Sequence, residues 1–436
     1  MKRNWVLILL FIPMLTFTAN AEAITLSLDE AVKLALDQSL NLKKSAIDLA
    51  QTEYSANRLW SEIFPNFSLN AGLTFLPSTP LLTDPGFSYN DEAVAYSINF
   101  GISLSLNPSL NSSMKRIELA YRSQLLSYEN AGKQLEIQVI KSFLSLIARK
   151  ENIAYLEESL ILAEHKLGQD SIARRTGQLS ELNLLNSRLS VETARYNLIS
   201  ARGNYQNALS EFLALLGIDT GTDIILDGSI EIAPVLSDPE QLILEYLPKR
   251  PDVISQRQTI ERLELSKNVT SLNSRSPTLE LGTQWKGDSK IKGPFSENLS
   301  GSLTLRIPID SWIPGTRQNQ NIRAANAEVE KARLDLQNTE NQAKTQIRSI
   351  ISNLHNTWAS LEIARLRVEV AESTVEASDE GFRKGLVEFR DLEDTRNKLS
   401  DARQQLIQGE LSYKSLLLDL AAALNVDWKT LIRGMM

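Results

Sequence analysis

Cysteine is absent from the 436 residues, and histidine occurs only at His165 and His355. Without cysteine there is no disulfide, thiolate metal site, cysteine nucleophile or N-terminal lipoprotein anchor. The two histidines are 190 positions apart, both in stretches with helical periodicity, so a Ser-His-Asp arrangement has little to stand on. There is no Walker Gly-Lys-Ser/Thr loop and no dinucleotide-type glycine pattern. Long apolar runs are scarce too. Beyond the extreme N-terminus nothing approaches the roughly 18 apolar residues of a spanning helix. Neither charge sign dominates: 46 Lys and Arg face 53 Asp and Glu, for a net charge of -7. That balance leaves no basic face for nucleic acid as the main partner. The expectation is a chain that is not an enzyme and needs no cofactor or metal.

What is present begins with an export signal. Lys2 and Arg3 precede an apolar run from Trp5 to Phe17, and Ala21-Glu22-Ala23 supplies a small-x-small cleavage pattern. As a helix that run rises only about 20 Å, short of a roughly 30 Å hydrocarbon core. Residues 1–23 are therefore expected to be removed as the protein leaves the cytoplasm, and the mature chain carries about -8.

The remainder reads as two halves with the same order of parts, 24–233 and 234–436. Each opens with an amphipathic helical stretch, Asp29 to about Ile63 and Asp238 to about Leu272. A strand hairpin follows in each, over residues 66–106 and 278–308, and a pair of long helices completes it. Gly177 to Tyr205 lies on Gly385 to Tyr413 without a gap, matching Arg188 with Arg396 and Tyr205 with Tyr413. Duplication of a whole domain is expected, since each half far exceeds a solenoid repeat. Thr316 to Glu380 holds neither Gly nor Pro. Ile322, Ala325, Val329, Ala332, Leu336, Ala343, Ile347, Ile350, Leu354, Trp358 and Leu361 recur there at coiled-coil spacing.

The hairpin runs alternate strictly. Tyr96, Ile98, Phe100, Ile102, Leu104 and Leu106 interleave with Ser97, Asn99, Gly101, Ser103 and Ser105. Each run is about ten residues, the length of a tilted membrane strand. Phe100, Leu104, Leu303 and Leu305 are expected to face lipid; Ser103, Ser105, Thr304 and Arg306, water. Four strands cannot close a barrel, and lipid does not tolerate an open edge, so membrane strands imply an oligomer. A soluble sheet in a secreted coiled-coil scaffold without a pore is the alternative.

In this order the parts resemble the TolC-like outer-membrane efflux family. Pro308-Ile309-Asp310 through Gly315-Thr316-Arg317 is similar to that family's strand-to-helix junction. Leu247-Pro248-Lys249-Arg250-Pro251-Asp252 resembles the motif that opens its second half. The resemblance implies a mainly α chain with membrane β-strands. Three copies would share a 12-stranded β-barrel, four strands each, continued by a coiled-coil periplasmic tunnel. It implies an exit duct of a tripartite efflux or type I secretion system in the outer membrane. The partners would be outer-membrane lipid, a periplasmic adaptor and an inner-membrane pump. Family members carry Asp six and nine positions after a glycine, ringing the tunnel entrance. From Gly385 these are Asp391 and Asp394; from Gly177 they are Asn183 and Asn186, uncharged. Gly177-Gln178-Leu179 and Gly385-Leu386-Val387 resemble the turns that meet the adaptor. Val387 stands where well-studied members place a locking Arg; Arg383 and Arg390 are the nearby candidates to replace it.

Overall fold

The structure is a computed structural model that describes residues 24–75, 81–83, 86–88, 94–222, 224–228, 232–235, 237–290 and 294–435. The expected export signal lies outside the described residues. The chain opens with strand β1 (Ile24–Ser27) and helix α1 (Leu28–Gln38). Ser27 caps α1 reciprocally: its hydroxyl accepts the Glu30 amide, and its own amide donates to the Glu30 carboxylate at 2.9 Å. Ser39 turns to extended backbone, ending α1, and α2 (Leu40–Ala56) starts afresh. The single helix expected over Asp29 to Ile63 is thus two helices, followed by a short 3₁₀ turn at Leu59–Ile63.

Strand β2 (Asn66–Phe75) and strand β5 (Val94–Leu106) form the first hairpin. The connection between them contains a short antiparallel ladder of β3 (Leu81–Thr83) and β4 (Gly86–Ser88). Next come helices α3 (Leu110–Arg175) and α4 (Glu181–Leu216), 66 and 36 residues long. Strand β6 (Ile224–Asp227) pairs in parallel with β1, a ladder too short to show in the sequence pattern. Helices α5 (Pro239–Tyr246) and α6 (Pro251–Arg275) replace the single stretch expected after Asp238. Pro248 and Pro251 cannot donate helical hydrogen bonds, so the chain breaks there, with Pro251 opening α6. Strands β7 (Thr278–Lys290) and β8 (Ser296–Arg306) make the second hairpin. Helices α7 (Arg317–Arg383), α8 (Phe389–Leu424) and α9 (Trp428–Met435) complete the chain.

Two units share these elements. The first, residues 1–40, 135–232 and 356–415, is built around β1, α1, and parts of α3 and α4. Its core joins Leu26, Ala31 and Ala35 to Val139, Phe143 and Leu146 of α3 and to Phe212, Leu213 and Leu216 of α4. The second unit, residues 41–134, 233–355 and 416–436, holds the main sheet and a buried arginine. Arg250 forks onto Asp252 at 2.7 and 3.0 Å and donates to the Ala423 carbonyl at 2.9 Å and to Gln346 at 3.0 Å. One guanidinium thus ties α6 to α7 and to the last turn of α8. Burial alone would raise the Asp252 carboxyl, but the hydrogen bonds and charge of Arg250 hold it below its ordinary value.

The main sheet runs in the order β2-β5-β7-β8, antiparallel throughout. Register sorts the side chains into rows. Leu69, Phe100, Trp285 and Leu299 share one rung, and Leu104, Leu281 and Leu303 another. On the opposite face Asn70, Asn99, Lys286 and Asn298 align, as do Ser105, Glu280 and Thr304. Every residue of β8 is exposed, and among the described residues the outer edges of β2 and β8 pair with nothing. Large apolar side chains stand in the open on one face: Leu69 is 71% exposed and Leu303 68%. In a membrane the apolar face meets lipid, so Leu104→Lys should lower membrane assembly by roughly 2–4 kcal/mol per chain. Ser103→Lys, on the polar face, should change it little. Equal yields of folded protein in outer-membrane fractions from the two variants would contradict this assignment.

Candidate functional site

The first unit contains two hairpin turns of the same construction. Helix α3 ends at Gly177 with φ +76°, and α7 at Gly385 with φ +73°, values that bulkier residues resist. At the first turn the Gln178 amide reaches the Ala173 carbonyl at 2.8 Å and the Gly177 amide the Arg174 carbonyl at 3.1 Å. At the second the Leu386 amide reaches Gly381 at 2.8 Å and the Gly385 amide Phe382 at 2.9 Å. Both are Schellman closures, which satisfy the last helical carbonyls and reverse the chain within a few residues. Gln178 and Leu386 project into solvent, Leu386 at 80% exposure, while Leu179 and Val387 are half-buried. Val387 folds back onto bare backbone: a Cβ built on Gly381 would lie 2.6 Å from the Val387 side chain. A side chain so occupied carries no charge to lock anything. Nor is Arg383 an unengaged substitute, since it pairs with Asp379 at 2.7 Å.

The four expected entrance residues follow these turns at matching places. Asn183 and Asn186 lie in the first two turns of α4, and Asp391 and Asp394 in those of α8. All four are exposed, and one of the two residues between each pair, Leu184 or Leu392, is buried. Ser180 caps α4 by accepting the Asn183 amide at 3.2 Å. Asp394 is not a bare charge: Lys398, one turn on, pairs with it at 2.6 Å. Asp391 sits in the first turn of α8, where the helix dipole favours an anion.

A cluster that the sequence did not reveal lies just behind the turns. Lys166 and Asp170 of α3 pair at 3.1 Å with side chains only 8% and 7% exposed. Ser187 of α4 donates a hydrogen bond to Asp170, and Ser190 donates to Glu393 of α8 at 3.4 Å. The Lys166 ammonium stands 4.6 Å from the ring of Phe382 on α7, and Arg396 of α8 pairs with Asp379 of α7 at 3.0 Å. Burial pulls Lys166 below its ordinary value, against the opposing pull of Asp170, and pushes Glu393 above its own. In sequence, Lys166 and Asp170 look like any exposed i,i+4 pair, such as Glu118 with Arg122. His165 is exposed, and His355 bonds the Val235 carbonyl at 2.9 Å. Among the described residues no group of acids and histidines could hold a metal, and no helix is long and apolar enough to cross a membrane.

The family model described as "Outer membrane efflux protein" matches residues 31–218 and 269–426. The chain is 20% identical over 403 residues to the outer membrane protein TolC of Salmonella enteritidis, covering 88% of this chain and 79% of that one. Its fold is similar to the crystal structure of the Campylobacter jejuni CmeC outer membrane channel, with a TM-score of 0.72 at 18% identity, over 94% and 89% of the two chains. A membrane protein from Pseudomonas aeruginosa superposes with a TM-score of 0.73 at 18% identity, over 91% and 93%.

The packing of Val387 onto Gly381 makes a local test. Gly381→Ala should expel Val387 and speed amide exchange at Gly385–Glu388, and adding Val387→Ala should restore the parent rate. Exchange unaltered by Gly381→Ala would show that this contact does not hold the turn.

Proposed function

The chain belongs to the outer membrane efflux protein family, and from that premise we propose a homotrimeric duct whose entrance is lined by Asp391 and Asp394. It is an outer-membrane channel whose helices lie in the periplasm, an exit duct for material delivered by an inner-membrane pump. Three copies join their four-stranded sheets edge to edge into one twelve-stranded barrel. The observation that carries this reading is the sheet itself, apolar on one face, polar on the other and, among the described residues, unpaired at both edges. Closing three such sheets with the polar rows inward gives a water-filled lumen lined by Ser, Asn, Thr and paired charges such as Lys286 with Asp288. The duct is passive, a conduit and not an enzyme.

The turns Gly177-Gln178-Leu179 and Gly385-Leu386-Val387 are the adaptor's contacts. They are exposed ends of helix pairs, with Leu386 offering an apolar side chain. Residues 1–23 are the export signal, and the halves 24–233 and 234–436 are copies of one ancestral unit.

At the entrance Asp391 dominates, because Lys398 offsets Asp394 in each chain. Carboxylates gathered on the axis attract cations, and Asn183 and Asn186 add polarity without charge. The test is single-channel recording with a trivalent cation on the periplasmic side. The parent should be blocked, Asp391→Asn/Asp394→Asn should pass current undisturbed, and Lys398→Gln should block at lower concentration. Block unchanged in the double variant would refute the entrance assignment.

A further inference from the structure

Helix α4 is not short of charge, yet its charges avoid one face. Every third or fourth residue from Asn183 to Asn207 is Asn, Ser or Thr, eight positions in all, and each is exposed or half-buried. Between Glu181 and Asn207 the helix has no Asn or Thr outside this row, and only one Ser, the buried Ser187. Alternating steps of three and four keep the row on one flank of the seam formed by Leu184, Val191 and Leu198. The other flank carries Arg195 and Arg202, which pair with Glu164 and Glu157 of α3 at 3.1 and 2.6 Å. Asn, Ser and Thr form helix poorly beside Glu, Lys and Gln, the usual residues of an exposed helix face. A row of them along about 36 Å of helix is a feature that folding alone does not ask for.

Counting 208 positions on gives the matching row of α8, which changes character along its length. It begins with Asp391, Asp394, Lys398 and Asp401, then passes to Gln405 and Gln408, all exposed. Charge on this row therefore stops about 15 Å along the helix from Asp391, while the row of α4 carries none at any level. We propose that these rows are the cargo-facing wall of the duct beyond its entrance, an uncharged surface of amides and hydroxyls that conducts solutes of either sign. The inference rests on reading Asp391 and Asp394 as lining the entrance, and extends the wall from them along the same face. Fixed charges in a narrow passage concentrate ions of one sign, and conduction needs contacts weak enough to leave. Amides and hydroxyls both donate and accept hydrogen bonds, so they hold water and polar cargo without preference for sign. On these helices, discrimination by charge is confined to the end between Asp391 and Asp401. The cargo this wall suits is a hydrated, hydrogen-bonding solute, neutral or anionic as well as cationic.

The test is the reversal potential of single channels in a salt gradient, with the full-length protein in planar bilayers. Asn197→Asp/Asn204→Asp should raise the cation-to-anion permeability ratio roughly twofold, and Asn197→Lys/Asn204→Lys should lower it by a similar factor. Arg195→Gln, on the other flank, should leave it at the parent value. Because the chain has no native cysteine, Ser200→Cys gives a second reading that introduces no charge during folding. Its conductance should fall when a charged methanethiosulfonate reacts with the thiol. Two results would overturn the wall and leave the duct standing: a reversal potential that ignores the Asp and Lys variants, or a labelled Ser200→Cys channel with undiminished current. A parent that forms no channel would refute the duct, and the wall with it.

Discussion

Unpaired backbone along the two outer edges of the β2-β5-β7-β8 sheet is the constraint on which the rest depends. In hydrocarbon an amide or carbonyl without a partner costs several kcal/mol, so a four-stranded sheet cannot sit in lipid alone. In the proposed trimer identical copies resolve this, the β8 edge of one chain meeting the β2 edge of the next so that the ring closes. The apolar rungs, such as Leu104-Leu281-Leu303, then acquire an environment that suits them. In water they would be an aggregation hazard. The same proposed closure would turn the rows of Ser, Asn and Thr inward to line an aqueous passage.

The helical part solves a different problem. Helices of 66 and 67 residues need no help from propensity, but they must reverse direction at their ends. Reversal is achieved twice by the same Schellman closure around a glycine. Beside the turns the packing is mixed: Leu184 and Leu392 are buried there, and so are Lys166 and Asp170, which pair with each other.

Much of this was legible in the residues because period and punctuation suffice for it. The strict alternation of Tyr96 to Leu106 marked β5, and the stretch free of Gly and Pro marked α7 to within a few residues. Gly177 and Gly385 marked both turns. Breaks inside helical stretches were missed at Ser39 and underweighted at Pro248 and Pro251, because the apolar spacing continues across them. The β1–β6 ladder and the Arg250 clamp depend on partners some 170–200 residues away, which no local pattern encodes. The proposed entrance carboxylates, Asp391 and Asp394, come from the family resemblance by counting from a glycine; the pairing of Asp394 with Lys398 needed only the i,i+4 rule and was overlooked. The buried Lys166–Asp170 pair was invisible for a deeper reason. Its spacing is that of an exposed i,i+4 pair, and nothing local marks it as buried.

The absence of native cysteine allows the central claim to be tested without background. Leu69→Cys on β2 and Leu299→Cys on β8 place one thiol near each open edge of the sheet. A short bismaleimide applied to the double variant in membranes should give a covalent ladder that ends at three chains. A ladder continuing past three, or cross-links confined to single chains, would contradict the closure of three sheets into one barrel.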